Sequence, residues 1–587
     1  MNADRFGTSL TKDGVTFSLW APAAKTVDVV LDVAHPMQRD DAGWFSTYVS
    51  GAKGGTRYKF RIDGELDVPD PASHFQPDDI AGPSEVIDHT AYRWRAESWR
   101  GRPWKDTVLI ETHVGTFTPG GTYRAMIEKL DHLVATGFTA LELMPLADFP
   151  GRRNWGYDGV LWYAPDSSYG RPDDLKALVD EAHLRGLMVF LDVVYNHFGP
   201  EGNYLGRYAP TLFSNSQTPW GNAIDYRVPE VRQFAIGNAL HWLNNYRFDG
   251  LRLDAVHAIT EVGDPNILND LSRAVGEFAQ ASGREIHLVL ENDDNRATHL
   301  DPATNPPRGK YRAQWNDDYH HAWHVLLTEE GAGYYGDYPT PRVAIARTLR
   351  SGFAYQGEAS AHRDGALRGE ASGDLSPLAF INFLQNHDQI GNRPLGDRLE
   401  VNASPSSIEA ALAITLLSPL PPMMFMGEEW GTTAPFPFFC DFSGDLANAI
   451  RQGRRAEFKS AYEKYGDDIP DPLDETTFRS AQLNWSETDE PVHRTRLILV
   501  SRLLKVRHAE IAPHLDDARF GDANVNDNGL LLAHWTLGDG ATLQLIANLS
   551  DGVVAIPASY QAKRIIWGEM PRDELAPWAA VWDVGDR

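Results

Sequence analysis

Apolar residues recur at every second position in the first stretch of the chain, as Val15, Phe17 and Leu19 in GVTFSLWAP and Val27, Val29 and Leu31 in KTVDVVLDV. A period of two is that of strands with one buried face. Glycine and aspartate interrupt the runs in GAKGGTRYKF and RIDGEL, so residues 1–95 are expected to fold as a β-sandwich. The next segment, YRWRAESWRGRPWKDT, is polar but carries Trp94, Trp99 and Trp104, which marks a linker laid against a neighbouring domain.

From about residue 106, short apolar runs alternate with longer helical patterns, the rhythm of a parallel sheet covered by helices. Eight runs qualify as strands: VLIETHV (108–114), ALELMPL (140–146), MVFLDVV (188–194), GLRLDAV (250–256), IHLVLEN (286–292), YRAQWND (311–317), AFINFLQNHD (379–388) and PPMMFMGEE (421–429). Between them, YRAMIEKLDHLVATGF places Met126, Leu130 and Leu133 on one helical face, and VRQFAIGNALHWLNNY does so with Phe234, Ala235, Ala239 and Trp242. A count of eight favours an α/β fold of the closed (β/α)8 TIM-barrel kind over 96–490, with 197–229 as an enlarged loop after the third strand. Past the eighth strand, 430–490 reads as irregular. RTRLILVSRLLKVRH (494–508) reads as a helix, and GLLLAHWTL, ATLQLIANLS and GVVAIPASY return to strand texture, so 491–587 is expected to be a helix and a C-terminal β-sandwich.

Charge narrows the functional classes. Lys+Arg 54 against Asp+Glu 81 leaves −27, a field that repels phosphate backbones and anionic lipid surfaces. Nucleic acid and membranes are therefore not expected partners, and no obligate protein partner is implied. The single cysteine, Cys440, forms no intrachain disulfide and supplies no thiolate cluster. The opening MNADRFGTSL lacks a basic then apolar leader, and the most apolar stretch, LAITLLSPLPPMMFMG, is broken by prolines, so a cytoplasmic location is expected.

Strand after strand ends in acids, amides and histidines, and the C-terminal mouth of a barrel is where such enzymes keep their sites. Asp254 in GLRLDAVHAI, Glu291 in LVLENDD and Asp388 in FLQNHDQIGN each follow an apolar strand. One acid at a strand end is usually a helix cap or a solvated loop residue. Three that converge on one mouth would repel in a desolvated cleft, separating a protonated acid from an ionised nucleophile. Arg252, two residues before Asp254 on the same strand face, is placed to keep that carboxylate charged. Glu291 has no such neighbour in sequence and is crowded by Asn292, Asp293 and Asp294, which favours its neutral, proton-donating form. A retaining glycosidase needs such a pair of carboxyl groups.

DVVYNH, GLRLDAVHAI, LVLEND and FLQNHD, in this order on strands three, four, five and seven, resemble the four signature regions of the α-amylase family of glycoside hydrolases. The resemblance implies Asp254 as nucleophile, Glu291 as general acid/base and Asp388 as the acid that grips sugar hydroxyls. It also implies that His197, Arg252 and His387 contact the sugar at the cleavage subsite, and that Tyr157, in WGYDGVLWYAPDSSYG, is a stacking platform. The N-terminal β domain resembles the immunoglobulin-like carbohydrate-binding module that precedes the barrel in branching and debranching relatives. From FGTSLTKDGVTFSLWAPAA through FLQNHDQIGNR the likeness extends over nearly the whole chain to those members that hydrolyse the α-1,4 bond beside the terminal trehalose of maltooligosyl trehalose, leaving malto-oligosaccharides. For recognition beyond the acids, strand-end position points to His257, Asn292, Asp293 and Trp315. A glucan branching or debranching enzyme would share the fold and all three acids, and a non-catalytic carbohydrate-binding barrel would share the fold.

HHAWH places His320 and His324 one helical turn apart, as in a zinc-binding H-E-x-x-H helix, but His321 stands where the glutamate would be, so polar packing is expected. GDANVNDNG lacks the ligand spacing of an EF-hand loop, and no G-x-G-x-x-G or Walker loop offers a nucleotide cradle. Neither a cofactor nor a metal is expected.

Overall fold

The computed structural model describes residues 5–218, 220–259, 266–459, 461, 466–569 and 572–585. Residues 1–4 of the opening sequence, Pro219 of the 197–229 loop and the final two residues lie outside these. Eight parallel strands close into a barrel in chain order: β1 Leu109–Thr112, β2 Ala140–Leu143, β3 Met188–Val193, β4 Gly250–Leu253, β5 His287–Leu290, β6 Ala313–Trp315, β7 Phe380–Phe383 and β8 Pro422–Phe425. Each falls inside one of the eight expected runs. Closure is direct, since Leu109 of β1 is in register with Ala140 of β2 on one side and Met423 of β8 on the other. Every residue of these strands is buried, which is why they read as apolar runs and not as alternations.

Helices cover the barrel, among them α1 Pro172–Leu184, α2 Pro229–Asn245, α3 Ile267–Ser282, α4 Asp317–Thr328, α5 Pro405–Leu417 and α6 Pro491–Val506. α3 shows how locally these are encoded: Asn266 caps its start by accepting from Asn269 N–H, and Gly283 ends it at φ 64°. Two sequence readings need correction. The helix expected across 123–138 is two, Tyr123–Ile127 and Leu130–Thr136, because Lys129 N–H closes a tighter turn on Met126 C=O. The stretch 430–490, expected to be irregular, contains the helix Gly444–Glu457. Its only buried residue is Ala447, and its apolar edge is limited to Leu446, Ala447 and Ile450 in a strongly polar helix. The enlarged loop after β3 holds a hairpin of Phe213–Thr218 with Gly221–Ile224.

Ahead of the barrel, two antiparallel sheets form the expected sandwich. Val15, Phe17 and Leu19 of one strand face Val27, Val29, Tyr58 and Phe60 from the other sheet. The tryptophan-bearing linker is laid on the barrel: Trp99 Nε1 donates to Asp249 Oδ1 (2.7 Å) and Trp104 Nε1 to the Leu378 carbonyl (2.8 Å). Behind the barrel, a five-stranded antiparallel sheet and a two-stranded one make the C-terminal β domain, docked through Trp535 Nε1 on the Leu349 carbonyl (3.0 Å). No helix among the described residues is long and apolar enough to cross a membrane.

Candidate active site

The site begins inside the barrel. Parallel register sets Asp192 of β3 beside Arg252 of β4, and both side chains point inward. The guanidinium of Arg252 is 0% exposed, a position no charge holds without partners. Three of its partners are carboxylates: Nη1 donates to Asp192 Oδ2 (2.5 Å) and Asp254 Oδ1 (2.9 Å), and Nη2 to Glu291 Oε2 (2.7 Å), while Nη1 also reaches the Tyr157 hydroxyl (3.4 Å). Its lower face lies 4.0 Å from the ring centroid of Trp315. Burial works against its charge, and Asp192 first, then Glu291, outweigh that and hold Arg252 well above its usual range. Of the carboxylates it gathers, Asp192 is as buried as the cation at 1%, while Asp254 at 11% and Glu291 at 16% are more open, and Asp388 nearby is more open still at 37%. The cation thus forms a floor and the acids stand above it, facing the cleft.

Each acid is aimed by a second contact. Asn196 Nδ2 donates to the Asp254 carboxylate (2.8 Å) and to its carbonyl (3.0 Å). Ala255 N–H donates to Glu291 Oε2 (2.8 Å). To do so Ala255 adopts φ 40°, ψ 49°, a left-handed conformation that costs an L-residue about 1–2 kcal/mol. Asp388 Oδ1 lies 3.6 Å from His387 Nε2 and close enough to Glu291 to feel its charge. His387 is in turn held by Glu111 of β1, which accepts from the imidazole Nδ1 and from the backbone N–H (3.0 Å). Burial alone would push His387 down, but Glu111 and then Asp388 prevail and raise it to about 9.

The crowding expected around Glu291 is not what the fold builds. Asp293 turns away to an ion pair with Arg363 and to Arg368 Nη2 (2.9 Å), and Asp294 pairs with Arg363 Nη1 (2.8 Å). The neighbour missing in sequence is Arg252, supplied from the adjacent strand. The Tyr157 ring stacks on His387 (4.9 Å, 21°) and its hydroxyl donates to Asp192 Oδ2 (2.6 Å). His197 is joined to it through Nε2 and the Tyr157 carbonyl (2.9 Å), and burial lowers His197 to about 4.

The remaining expected contacts divide. His257 is exposed, and its Nδ1 accepts from Asp293 N–H (3.2 Å). Asn292 uses its side-chain oxygen to accept from Asp294 N–H (3.1 Å), shaping its own turn instead of presenting itself to the cleft. Trp315 is 1% exposed beneath Arg252, so the direct sugar contact expected of it is corrected to a supporting one. Sequence reasoning missed Asp192, Glu111 and Asn196, and also Trp220, which is 47% exposed and stacked on His197 (4.5 Å, 7°). A signal for the first two was present. Glu111 and Asp192 interrupt strands that are otherwise largely apolar, and a charged group in a strand buried on both faces needs a partner.

The barrel and its ring of acids belong with glycosidases of the α-amylase type. The family model for the alpha amylase catalytic domain matches residues 83–218, that for carbohydrate-binding module 48, the isoamylase N-terminal domain, residues 5–76, and a domain of unknown function residues 518–582. The malto-oligosyltrehalose trehalohydrolase of Deinococcus radiodurans is 42% identical over 85% of this chain and 82% of its own. Its counterpart from Saccharolobus solfataricus is 41% identical over 83% and 84%. A Salmonella typhimurium crystal structure, assigned provisionally as an alpha amylase, superposes with a TM-score of 0.95 at 41% identity, covering 99% of both chains. The chain belongs to the malto-oligosyltrehalose trehalohydrolase family.

Proposed function

We propose that the chain is a retaining glycoside hydrolase that cleaves the α-1,4-glucosidic bond next to the terminal trehalose of maltooligosyl trehalose. The observation that supports the chemistry is the fork of Arg252, which the Asp254 and Glu291 carboxyls share, with Asp388 close enough to Glu291 to feel its charge. Asp254 attacks the anomeric carbon while Glu291 gives its proton to the departing oxygen, releasing trehalose and leaving a glycosyl ester on Asp254. Water, deprotonated by Glu291, then attacks the same carbon, freeing Asp254 and restoring the acid. Asp388, the most open of the three, grips ring hydroxyls as the oxocarbenium-like charge develops, and Tyr157 supports the sugar from below. His197 bounds the same subsite, whereas Arg252 and His387, as buried as Trp315, act on it through the carboxylates they hold and not by direct sugar contact.

The choice of trehalose as leaving group rests on the named relatives, and a cytoplasmic place in trehalose formation goes with it. Incubation with maltooligosyl trehalose should release free trehalose and a malto-oligosaccharide whose new reducing end first appears as the α anomer. An initial β anomer would demand an inverting mechanism, and α-1,6 links made or broken in starch, without trehalose, would point to a branching or debranching enzyme. Binding without turnover would leave a carbohydrate-binding barrel.

A further inference from the structure

Where the N-terminal β domain meets the barrel, three imidazoles from distant stretches of sequence share one spot. His74 follows the strand Leu66–Val68, His89 follows the strand Ser84–Glu85, and His241 is on α2. Their rings are in mutual contact, with centroids 4.4 Å apart for His74 and His241, 5.0 Å for His74 and His89, and 5.4 Å for His89 and His241. One nitrogen from each lies within 4.8 Å of the other two. None of these residues belongs to the cleft, and their neighbours are the aromatic rings of Tyr163 and Tyr246.

The hydrogen-bond inventory is incomplete in a particular way. His74 Nδ1 and His89 Nε2 face each other at 3.1 Å, and Asn245 Nδ2 donates to His241 Nδ1 (3.0 Å). His89 Nδ1 is buried without a hydrogen-bond partner, and the Tyr163 carbonyl lies close enough to the His241 ring to act on it. Only one of the facing His74 and His89 nitrogens can carry a proton between them, so at least one lone pair is turned into the cluster. We propose that His74, His89 and His241 form a binding site for a borderline divalent transition metal such as zinc, clasping the N-terminal β domain to α2.

Three neutral imidazoles with an open fourth position are a recognised zinc donor set. Burial lowers His74 to about 4 and holds His89 and His241 well below the usual histidine range, so all three are neutral with lone pairs available at pH 7. Zn–N bonds of about 2.0–2.1 Å place tetrahedral donors roughly 3.4 Å apart, near the separation of the His74 and His89 nitrogens. From nitrogen separations within 4.8 Å, the rings must close by up to about 1.4 Å to reach that spacing. For His241 Nε2 to coordinate, the Asn245 amide turns so that its oxygen accepts Nδ1–H, the usual orienting contact of a ligating histidine. Each ring keeps one N–H and gives one lone pair, so no proton leaves. Lys176 opposes the ion: its ammonium depresses all three histidines, lying 3.5 Å from the His89 carbonyl and 3.3 Å from Asp173, which offsets part of its charge.

The test uses the full chain stripped with chelator and titrated with cobalt(II), which reports tetrahedral ligation by visible absorption. One equivalent should bind, be displaced by zinc, and raise Tm by a few degrees. His241→Gln and His89→Gln should each abolish the absorption while keeping hydrolytic activity and the metal-free Tm. Lys176→Met should tighten binding. Absence of stoichiometric cobalt absorption would overturn the site, as would absorption that survives both glutamine variants or that disappears in His320→Gln instead.

Discussion

Two clusters of buried titratable groups, one at the barrel mouth and one at the junction of the N-terminal domain with α2, solve desolvation in opposite ways. At the mouth, Arg252 remains charged because three carboxylates converge on it. At the junction, no carboxylate forms an ion pair with the three histidines among the described residues, and they give up their charge. Burial pushes every group toward neutrality, and only a built counter-charge reverses that. His387 and His74 show the rule within one residue type, the first raised to about 9 beside Glu111 and the second lowered to about 4.

The largest effect expected at the mouth is loss of the reacting carboxyls. Asp254→Asn and Glu291→Gln should each reduce kcat by about 10⁴-fold or more with the fold intact, measured as trehalose release alongside circular dichroism. Rates near wild type in either variant would refute the assigned roles. Arg252→Met attacks the floor itself. It leaves Asp192 buried beside a hydrophobic chain and should destabilise the protein by about 3–5 kcal/mol in urea titration, besides lowering kcat. A milder cut is Asn196→Ala, which removes one donor from Asp254 and should cost about 1–3 kcal/mol in the kcat/KM barrier, with smaller change in stability.

The smallest effect is the most direct comparison of the two clusters. His387 is raised in the folded chain, so its contribution to stability is full below the unfolded value of about 6.5 and is lost as pH rises through 9. His74 is depressed, so its contribution is present above about 6.5 and is lost as pH falls through 4. His387→Gln should flatten the alkaline limb of Tm against pH and His74→Gln the acid limb. The reverse pattern would contradict the assignment of charge to the first and neutrality to the second.

Much of this was legible in one dimension. All eight barrel strands lie within apolar runs, because strands buried on both faces need no alternation, and the three acids are marked by following such runs directly. The helix Gly444–Glu457 was not read from the sequence, since only Leu446, Ala447 and Ile450 mark its apolar edge and the rest of it is polar. Trp315 misled because a strand-end position tells which end of the barrel a residue occupies and not whether it lies above or below the charged layer.

Local sequence, through hydrophobic period and helix caps, determined the elements and brought Asp254, Glu291 and Asp388 to strand ends. Tertiary structure alone decided that Arg252 serves Glu291 as well as Asp254, that Glu111 from the first strand charges His387 near the end of the seventh, and that His74, His89 and His241 meet. The physical reason is range. Periodicity and capping are set within a few residues, whereas the ionisation of a buried group depends on whatever charge closure of the barrel brings within a few ångströms, however far away in the chain.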